Sequence, residues 1–299
     1  MKKINCALCL KSNYEVLYKE NFDLALVNEK TFSARRIPDG CHYRIVRCQK
    51  CGLIYSNPIL EEGKIKQLYC QSRLTYSLET DNLRKTYGRL LKKVKGASFE
   101  GESLLEIGCG NGFFLEEALG QGFKEVWGVE PSVDAAKKAS RGIRKRIKID
   151  VFRPGLFPKS YFDIICFFQT LDHIINPNLF LKTCFEILKN NGVVLCVTHN
   201  SKSFLNKVLG EKSPIFDIEH IYLFDKKTLI KLFEKNKFSV LDVFDIANDY
   251  SLNYWIKIFP LGRRIRNLLE KIISFLSLDR KIIKLKAGNI GLIAQKNEN

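Results

Sequence analysis

The sequence contains no run of about 18 apolar residues, which is the length that a helix needs to cross a bilayer. Its basic start, Met1-Lys2-Lys3, is not followed by an apolar stretch of signal-peptide length. Internal repeats and low-complexity segments are also missing, so nothing predicts a solenoid or a compositionally biased array. We therefore expect a cytoplasmic protein with reduced thiols, whose 299 residues and 45% hydrophobic content suffice for one large core and a smaller module.

Acidic residues are outnumbered and histidine is scarce. Lysine and arginine total 49 against 32 aspartates and glutamates, which gives a formal net charge of +17. Such a charge is typical of chains that meet anionic partners, so nucleic acid and anionic lipid both stay open. Only four histidines are present, which narrows the choice of a general base that works near neutral pH.

The most informative stretch of the chain, LLEIGCGNG at residues 104–112, spaces its glycines as G-x-G-x-G and lacks the G-x-G-x-x-G spacing of a dinucleotide fingerprint. A dinucleotide fingerprint would need glycine at position 113, which is Phe113. The acid two positions before the first glycine, Glu106, would end the first strand close to a positively charged ligand. S-adenosylmethionine carries an ammonium and a sulfonium but no phosphate, so this pattern favours it as the ligand.

This stretch resembles the first motif of the class I S-adenosylmethionine-dependent methyltransferases, in which the loop cradles the methionine part of the cofactor. Further along the chain, Glu130 ends a short strand, where an acid can accept hydrogen bonds from two ribose hydroxyls. The alternative is that Glu130 is an ordinary acid near a helix N-terminus. The resemblance places Asp150 beside the adenine and Gln169 near the amino acid part, while Cys109 is interpreted as a small filler. The predicted cofactor-binding residues are Glu106, Gly108, Cys109, Gly110, Gly112, Glu130, Asp150 and Gln169.

The strand patterns predict an α/β fold with a doubly wound sheet. The apolar run at 161–168 is typical of a central parallel strand that is covered on both faces. Together the patterns give seven strands alternating with helices, mostly parallel with an antiparallel last strand, as the methyltransferase family has it. One of the other strands is predicted to begin near Leu104. The remaining five are predicted at 126–130, 146–150, 193–198, 239–244 and 290–294. We predict a zinc-binding module at 1–58, a helical linker at 59–100 and a methyltransferase domain at 101–299 with a basic insertion at 255–286.

Two C-x-x-C pairs form a second motif, Cys6 with Cys9 and Cys48 with Cys51. Two such knuckles let four sulfurs converge on one tetrahedral metal ion. Disulfides would suit a secreted chain, and free thiols are a further alternative. We predict a structural zinc ion, because four thiolates leave no open position for a substrate. A knuckle ahead of this core is similar to the arrangement in sugar C-methyltransferases and related small-molecule methyltransferases.

Candidate catalytic residues follow from the need to remove a proton from an oxygen or carbon acceptor. His220 lies in DIEHIYLF at 217–224, on the loop side where acceptors bind in the family that the chain resembles. We predict it as base or acceptor-orienting residue, with Tyr222 and His199 in support. The alternative is that His220 only holds its loop by hydrogen bonds. His173 is interpreted as a packing histidine.

Basic charge is concentrated at 257–286, which holds nine basic and two acidic side chains. Apolar residues recur there at helical spacing, which predicts a basic amphipathic helix. The helix can cover the core or a dimer face, lie on anionic lipid, or contact RNA phosphates. The apolar positions are Ile265, Leu268, Leu269, Ile272, Ile273 and Leu276.

The function predicted from these features is methyl transfer from S-adenosylmethionine to the oxygen or carbon of a small-molecule or glycan-type acceptor. An RNA methyltransferase is one alternative, although the segment after Phe168 lacks an N-P-P-Y signature for base nitrogen chemistry. A non-catalytic cofactor-binding module whose knuckle docks another protein is a second alternative.

Overall fold

The chain forms a seven-stranded sheet with core clusters on both faces and a four-stranded sheet near the amino terminus. The computed structural model describes residues 1–23, 27–28, 32, 40–74, 79–95, 101–259 and 261–297. The strands are β1 (Tyr14–Tyr18), β2 (Ile45–Cys48), β3 (Ile54–Ser56), β4 (Ser103–Ile107), β5 (Glu125–Val129), β6 (Ile147–Lys148), β7 (Phe162–Phe168), β8 (Leu188–His199), β9 (Tyr222–Leu223), β10 (Phe238–Ser251) and β11 (Ile282–Lys296). The helices are α1 (Glu62–Gln71), α2 (Thr80–Lys95), α3 (Phe113–Gly120), α4 (Val133–Lys137), α5 (Arg141–Arg144), α6 (Pro177–Ile187), α7 (Phe204–Leu209), α8 (Lys226–Lys235), α9 (Leu252–Ile258) and α10 (Arg263–Phe275).

The large sheet confirms the predicted fold class. Its strand order is β10-β11-β8-β7-β4-β5-β6. The strands from β8 to β6 pair in parallel, and β11 is antiparallel to both of its neighbours. The chain progresses from β4 towards β6 on one side and continues with β7 on the other. A crevice therefore forms at the carboxyl ends of β4 and its neighbours, which is where open α/β sheets bind ligands.

Strands β6, β8, β10 and β11 differ clearly in length from their predicted ranges, and β8 begins at Leu188 instead of 193. β6 contains two residues of the predicted 146–150. β10 and β11 are longer than predicted because they pair with each other as far as Ser251 and Ile282, whereas β11 pairs with β8 only from Asn289 to Gln295. Since β10 runs parallel to β8, this hairpin extends past the carboxyl edge of the sheet. It carries α9 and α10 at that edge.

The small sheet joins the amino-terminal segment to the rest of the molecule. Its order is β1-β2-β3-β9, and all pairs are antiparallel. β9 comes from the connection between β8 and α8, far along the chain. Tyr55 of β3 pairs with Tyr222 of β9, and the Ser56 hydroxyl donates a 2.8 Å hydrogen bond to the His220 carbonyl. The segment that carries His220 is thus held by the amino-terminal sheet.

Helices α1 and α2 connect the small sheet to the large one and pack against other elements of the molecule. Of the segments predicted at 1–58 and 59–100, the described parts contain β1 to β3 and then α1 and α2. α2 packs against β10 and α3, and α1 packs beside α4. None of the helices in the described ranges combines the length and the apolar character that a bilayer crossing requires.

Candidate active site

A cavity of about 940 Å³ opens at the carboxyl ends of β4, β5 and β7. This volume lies in the range of sites that enclose a small ligand. Its lining includes the loop after β4, the end of β5 at Val129 and Glu130, and Phe168 to Thr170 after β7. The opposite wall comes from α1, α7, α9 and the start of β11. The predicted cofactor loop and the predicted acceptor side therefore share one cavity.

The loop after β4 depends on its glycines. Gly108, Gly110 and Gly112 have φ angles of 77°, 54° and 71°, which favour glycine because a Cβ atom is strained there. At Gly108 space is a second constraint, since a Cβ would lie 2.6 Å from the Thr170 hydroxyl oxygen. Gly112 is the N-cap of α3. The loop can therefore approach a ligand through its main chain, as the sequence predicts.

Two buried acids border the loop. Glu106 is 3% exposed and lines the cavity. The Glu130 carboxylate accepts hydrogen bonds of 2.8 Å from the backbone N–H groups of Gly110 and Ser132. Burial raises the pKa of Glu130, and the two N–H donors counteract that rise. The structure thus holds Glu130 at the edge of the glycine loop.

Cys109 is a packed side chain in this loop. It is 1% exposed, and burial raises the pKa of its thiol well above the usual value. A Cβ added at Gly128 of β5 would lie 2.5 Å from the Cys109 sulfur. Gly128 therefore leaves room for the loop, a role that we did not predict. The signal was a glycine inside a strand pattern, which often marks a close approach.

Asp150 and Gln169 occupy different surroundings. The Asp150 carboxylate accepts hydrogen bonds from the Val151 N–H at 2.7 Å and the Arg153 Nε at 3.0 Å. Val151 and Arg153 line the cavity, whereas Asp150 does not. Gln169 lines the cavity, has a φ of 52°, and places its Oε1 2.7 Å from His199 Nδ1. A positive φ outside glycine is often found at functional sites.

Three histidines surround the buried carboxylate of Asp172, which we did not predict as a site residue. Asp172 Oδ2 lies 3.4 Å from His199 Nδ1 and 3.8 Å from His220 Nε2, while Oδ1 lies 3.8 Å from His173 Nε2. All three histidines line the cavity. One ligand atom from each of Asp172, His199 and His220 lies within 4.8 Å of the other two. Such a set can accept a proton or hold a divalent cation.

The hydrogen bond of His220 fixes its tautomer when the ring is neutral. His220 Nδ1 lies 2.8 Å from the Ile215 carbonyl oxygen. A carbonyl only accepts, so Nδ1 carries the hydrogen and Nε2 keeps the lone pair. Nε2 is the atom near Asp172. His220 therefore keeps a nitrogen lone pair available at Nε2, which faces the cavity side near Asp172.

Tyr222 does not line the cavity, whereas the two predicted catalytic histidines, His199 and His220, do. It is 2% exposed in β9, its ring stacks on Tyr55, and its hydroxyl donates to the Ile175 carbonyl at 3.3 Å. Tyr69 of α1 takes a place that we did not predict, since it lines the cavity with its hydroxyl 2.7 Å from His173 Nδ1. Only tertiary packing of α1 puts it there.

The four predicted metal ligands come together in the amino-terminal segment. The sulfurs of Cys6 and Cys51 lie 3.4 Å apart, as do those of Cys9 and Cys48. All four sulfurs lie within 4.8 Å of one another, and none is in a disulfide. A tetrahedral zinc ion with bonds of about 2.3 Å places its sulfurs about 3.8 Å apart. The donor set therefore fits zinc in number, chemistry and spacing.

Comparison with known proteins agrees with the cofactor site. The family model described as "Methyltransferase domain" matches residues 80–243. The mitochondrial ubiquinone biosynthesis O-methyltransferase of Rattus norvegicus is 30% identical over 159 residues, which cover 50% of this chain and 45% of that protein. The ubiquinone biosynthesis O-methyltransferase of Pelagibacter ubique is 26% identical over 222 residues, which cover 65% of this chain and 89% of that protein. The chain spans about half the length of the first curated relatives that it matches.

The solved structures agree in fold. A Bacillus halodurans protein assigned to the methyltransferases matches with a TM-score of 0.52 and 16% identity, over 71% of this chain and 99% of that protein. The family match covers more than half of the 299 residues and includes Glu106, Glu130 and the Asp172 cluster. Fold, glycine loop and family model agree, and the chain belongs to the methyltransferase-domain family of class I S-adenosylmethionine-dependent enzymes.

Proposed function

We propose that the protein methylates a hydroxyl oxygen of an apolar small molecule. The observation that carries this proposal is the shared cavity, which is lined both by the cofactor loop and by the three histidines around Asp172. The relatives named as ubiquinone biosynthesis O-methyltransferases support an oxygen acceptor on a small molecule. Apolar side chains at Ile174, Ile175 and Leu179 line the cavity and favour an acceptor with a hydrophobic body.

The residues of this chain then divide into two groups. S-adenosylmethionine, when bound, supplies an electrophilic methyl group on its sulfonium. Glu106 and Glu130, with the glycine loop, hold the cofactor and complement its positive charge. His220 Nε2 would accept the hydroxyl proton of the acceptor, and Asp172 would stabilise the resulting imidazolium, while the methyl–sulfur bond breaks and S-adenosylhomocysteine leaves. Most of the rate enhancement comes from holding donor and acceptor in line.

Titration calorimetry followed by turnover assays tests this function. We expect the purified chain to bind S-adenosylmethionine, and to form S-adenosylhomocysteine with members of a panel of phenols and apolar alcohols. Mass spectrometry of the products would locate the added methyl group on oxygen. Failure to bind the cofactor at any concentration would contradict the proposal. Methylation only of RNA, or only of carbon atoms, would contradict the proposed hydroxyl acceptor.

The Glu130→Ala variant tests the cofactor half of the site. We expect the affinity for S-adenosylmethionine to fall by roughly tenfold to a hundredfold, because a buried carboxylate that can accept the ribose hydroxyls is lost. Calorimetry measures the change. Glu102→Ala is the matched control, since Glu102 is exposed next to Lys124 outside the cavity. Equal affinities for both variants and the wild type would assign Glu130 to loop structure alone.

We also propose that Cys6, Cys9, Cys48 and Cys51 hold one structural zinc ion. Four thiolates saturate a tetrahedral ion and leave no site for a substrate. The ion would hold together the segment from which β3 extends to pair with β9. In this proposal the zinc ion stabilises the amino-terminal sheet that supports the acceptor side of the cavity, and it takes part in no chemical step.

A further inference from the structure

Helix α10 leaves a broad apolar face exposed. Phe275 is 89% exposed and Leu268 is 59% exposed, and among the helix residues only Ile273 is buried. The interpretation that this helix covers the core is therefore wrong for most of its apolar side chains. We call the exposed set the α10 stripe. Its members are Ile265, Leu268, Ile272, Phe275 and Leu276.

Cations border and interrupt the α10 stripe. Arg264, Leu268, Lys271 and Phe275 follow each other at spacings of four, three and four residues, so they share one row on the helix surface. Arg264 and Lys271 are exposed, as are both apolar members of the row. Residues 257–286 hold nine basic and two acidic side chains. Apolar and cationic side chains therefore face solvent side by side.

The stripe belongs to the edge of the molecule at which the cavity opens. The long β10–β11 hairpin extends past that edge and carries α9 and α10. Phe259, just after α9, lines the cavity and is 37% exposed, and Arg266 of α10 donates to its carbonyl at 3.4 Å. Phe204 of α7 and Leu285 of β11 also line the cavity and are exposed. Apolar side chains thus extend from the cavity lining to the surface near α10.

We infer that the α10 stripe docks on the surface of an anionic phospholipid bilayer. Anionic headgroups complement Arg264 and Lys271, and the acyl region accommodates Leu268 and Phe275. A second copy of the chain fits less well, because two such basic surfaces repel each other. RNA would pair with the cations but would leave the aliphatic stripe in water. Docking at this edge would place the cavity close to acceptors that dissolve in the bilayer.

Vesicle flotation of the full-length protein tests the docking surface. We expect the protein to float with vesicles of equal parts phosphatidylcholine and phosphatidylglycerol, and to stay in solution with phosphatidylcholine alone. The Leu268→Ser/Phe275→Ser variant should bind the anionic vesicles at least tenfold more weakly. The Arg264→Gln/Lys271→Gln variant should lose roughly fivefold per charge at low salt and less at high salt. Leu241→Ser is the matched control, since Leu241 is a 56% exposed residue of β10.

These measurements need no cofactor or acceptor, so failure of docking leaves the methyl-transfer proposal intact, and the reverse also holds. Equal flotation of the wild type and the Leu268→Ser/Phe275→Ser variant would overturn the docking surface. Light scattering gives a second test. A wild-type dimer that the same variant dissociates, together with no vesicle binding, would assign the stripe to a second copy. Salt-sensitive RNA binding without vesicle binding would overturn the lipid assignment as well.

Discussion

The His220→Asn variant is expected to lose roughly 10²- to 10⁴-fold in kcat, the range that a general base contributes. Asparagine separates the two interpretations of this residue. Its amide nitrogen can take the place of Nδ1 and donate to the Ile215 carbonyl, which accepts at 2.8 Å in the structure. It has no counterpart to Nε2, the atom beside Asp172. The loop is thus retained while the proton acceptor is removed.

Steady-state kinetics with an acceptor from the turnover panel measure this effect, and calorimetry is expected to give an unchanged affinity for S-adenosylmethionine. A variant with wild-type kcat would show that His220 only holds its loop. Loss of wild-type activity on treatment with a chelator, restored by a divalent cation other than zinc, would assign Asp172, His199 and His220 to a metal site.

Cys48→Ser is expected to remove the bound zinc and to lower the melting temperature by roughly 10 °C or more, because the free energy of metal binding contributes directly to folding. The effect should extend to the active site. β3 pairs with β9, and Ser56 donates to the His220 carbonyl, so loosening the amino-terminal sheet releases the segment that positions His220. Turnover should therefore fall further than cofactor affinity, since the glycine loop lies in the large sheet.

Elemental analysis, thermal melts and calorimetry on the same preparation check this prediction. The wild type should contain about one zinc ion per chain, and the variant should contain much less. Cys70→Ser is the control, because Cys70 lies in α1 away from the four clustered sulfurs. A metal-free wild type with an unchanged melting temperature would contradict a structural zinc ion. Equal losses of cofactor affinity and turnover would contradict the specific link to His220.

The cofactor half of the site was predictable because its signals are local. Gly108, Gly110 and Gly112 follow a strand at fixed spacing, and each adopts the positive φ that only glycine adopts without strain. Glu106 lies near the end of β4 and Glu130 directly follows the neighbouring parallel strand β5, so both lie at the carboxyl edge of the sheet. The cysteine pairs were similarly readable, since the knuckle spacing sets where each pair of sulfurs points.

The acceptor half was less predictable because it is assembled from distant segments. Asp172 meets His199 and His220 only after β7, β8 and the β9 segment have packed together, and Tyr69 reaches His173 from a helix about a hundred residues earlier. Tyr222 was predicted as a supporting residue, but it lies in β9, whereas His220 lies in the segment before that strand. Its ring accordingly stacks on Tyr55 in the small sheet.

The sequence by itself determined the cofactor class, the order of the elements and the two cysteine pairs whose sulfurs cluster, since each depends on short-range spacing within one strand, loop or knuckle. Tertiary structure alone decided that the amino-terminal sheet takes β9 from the core, that one buried carboxylate gathers three histidines, and that the apolar face of α10 stays exposed. Contacts between residues far apart in the chain depend on how whole elements pack. Short-range sequence patterns do not predict that packing.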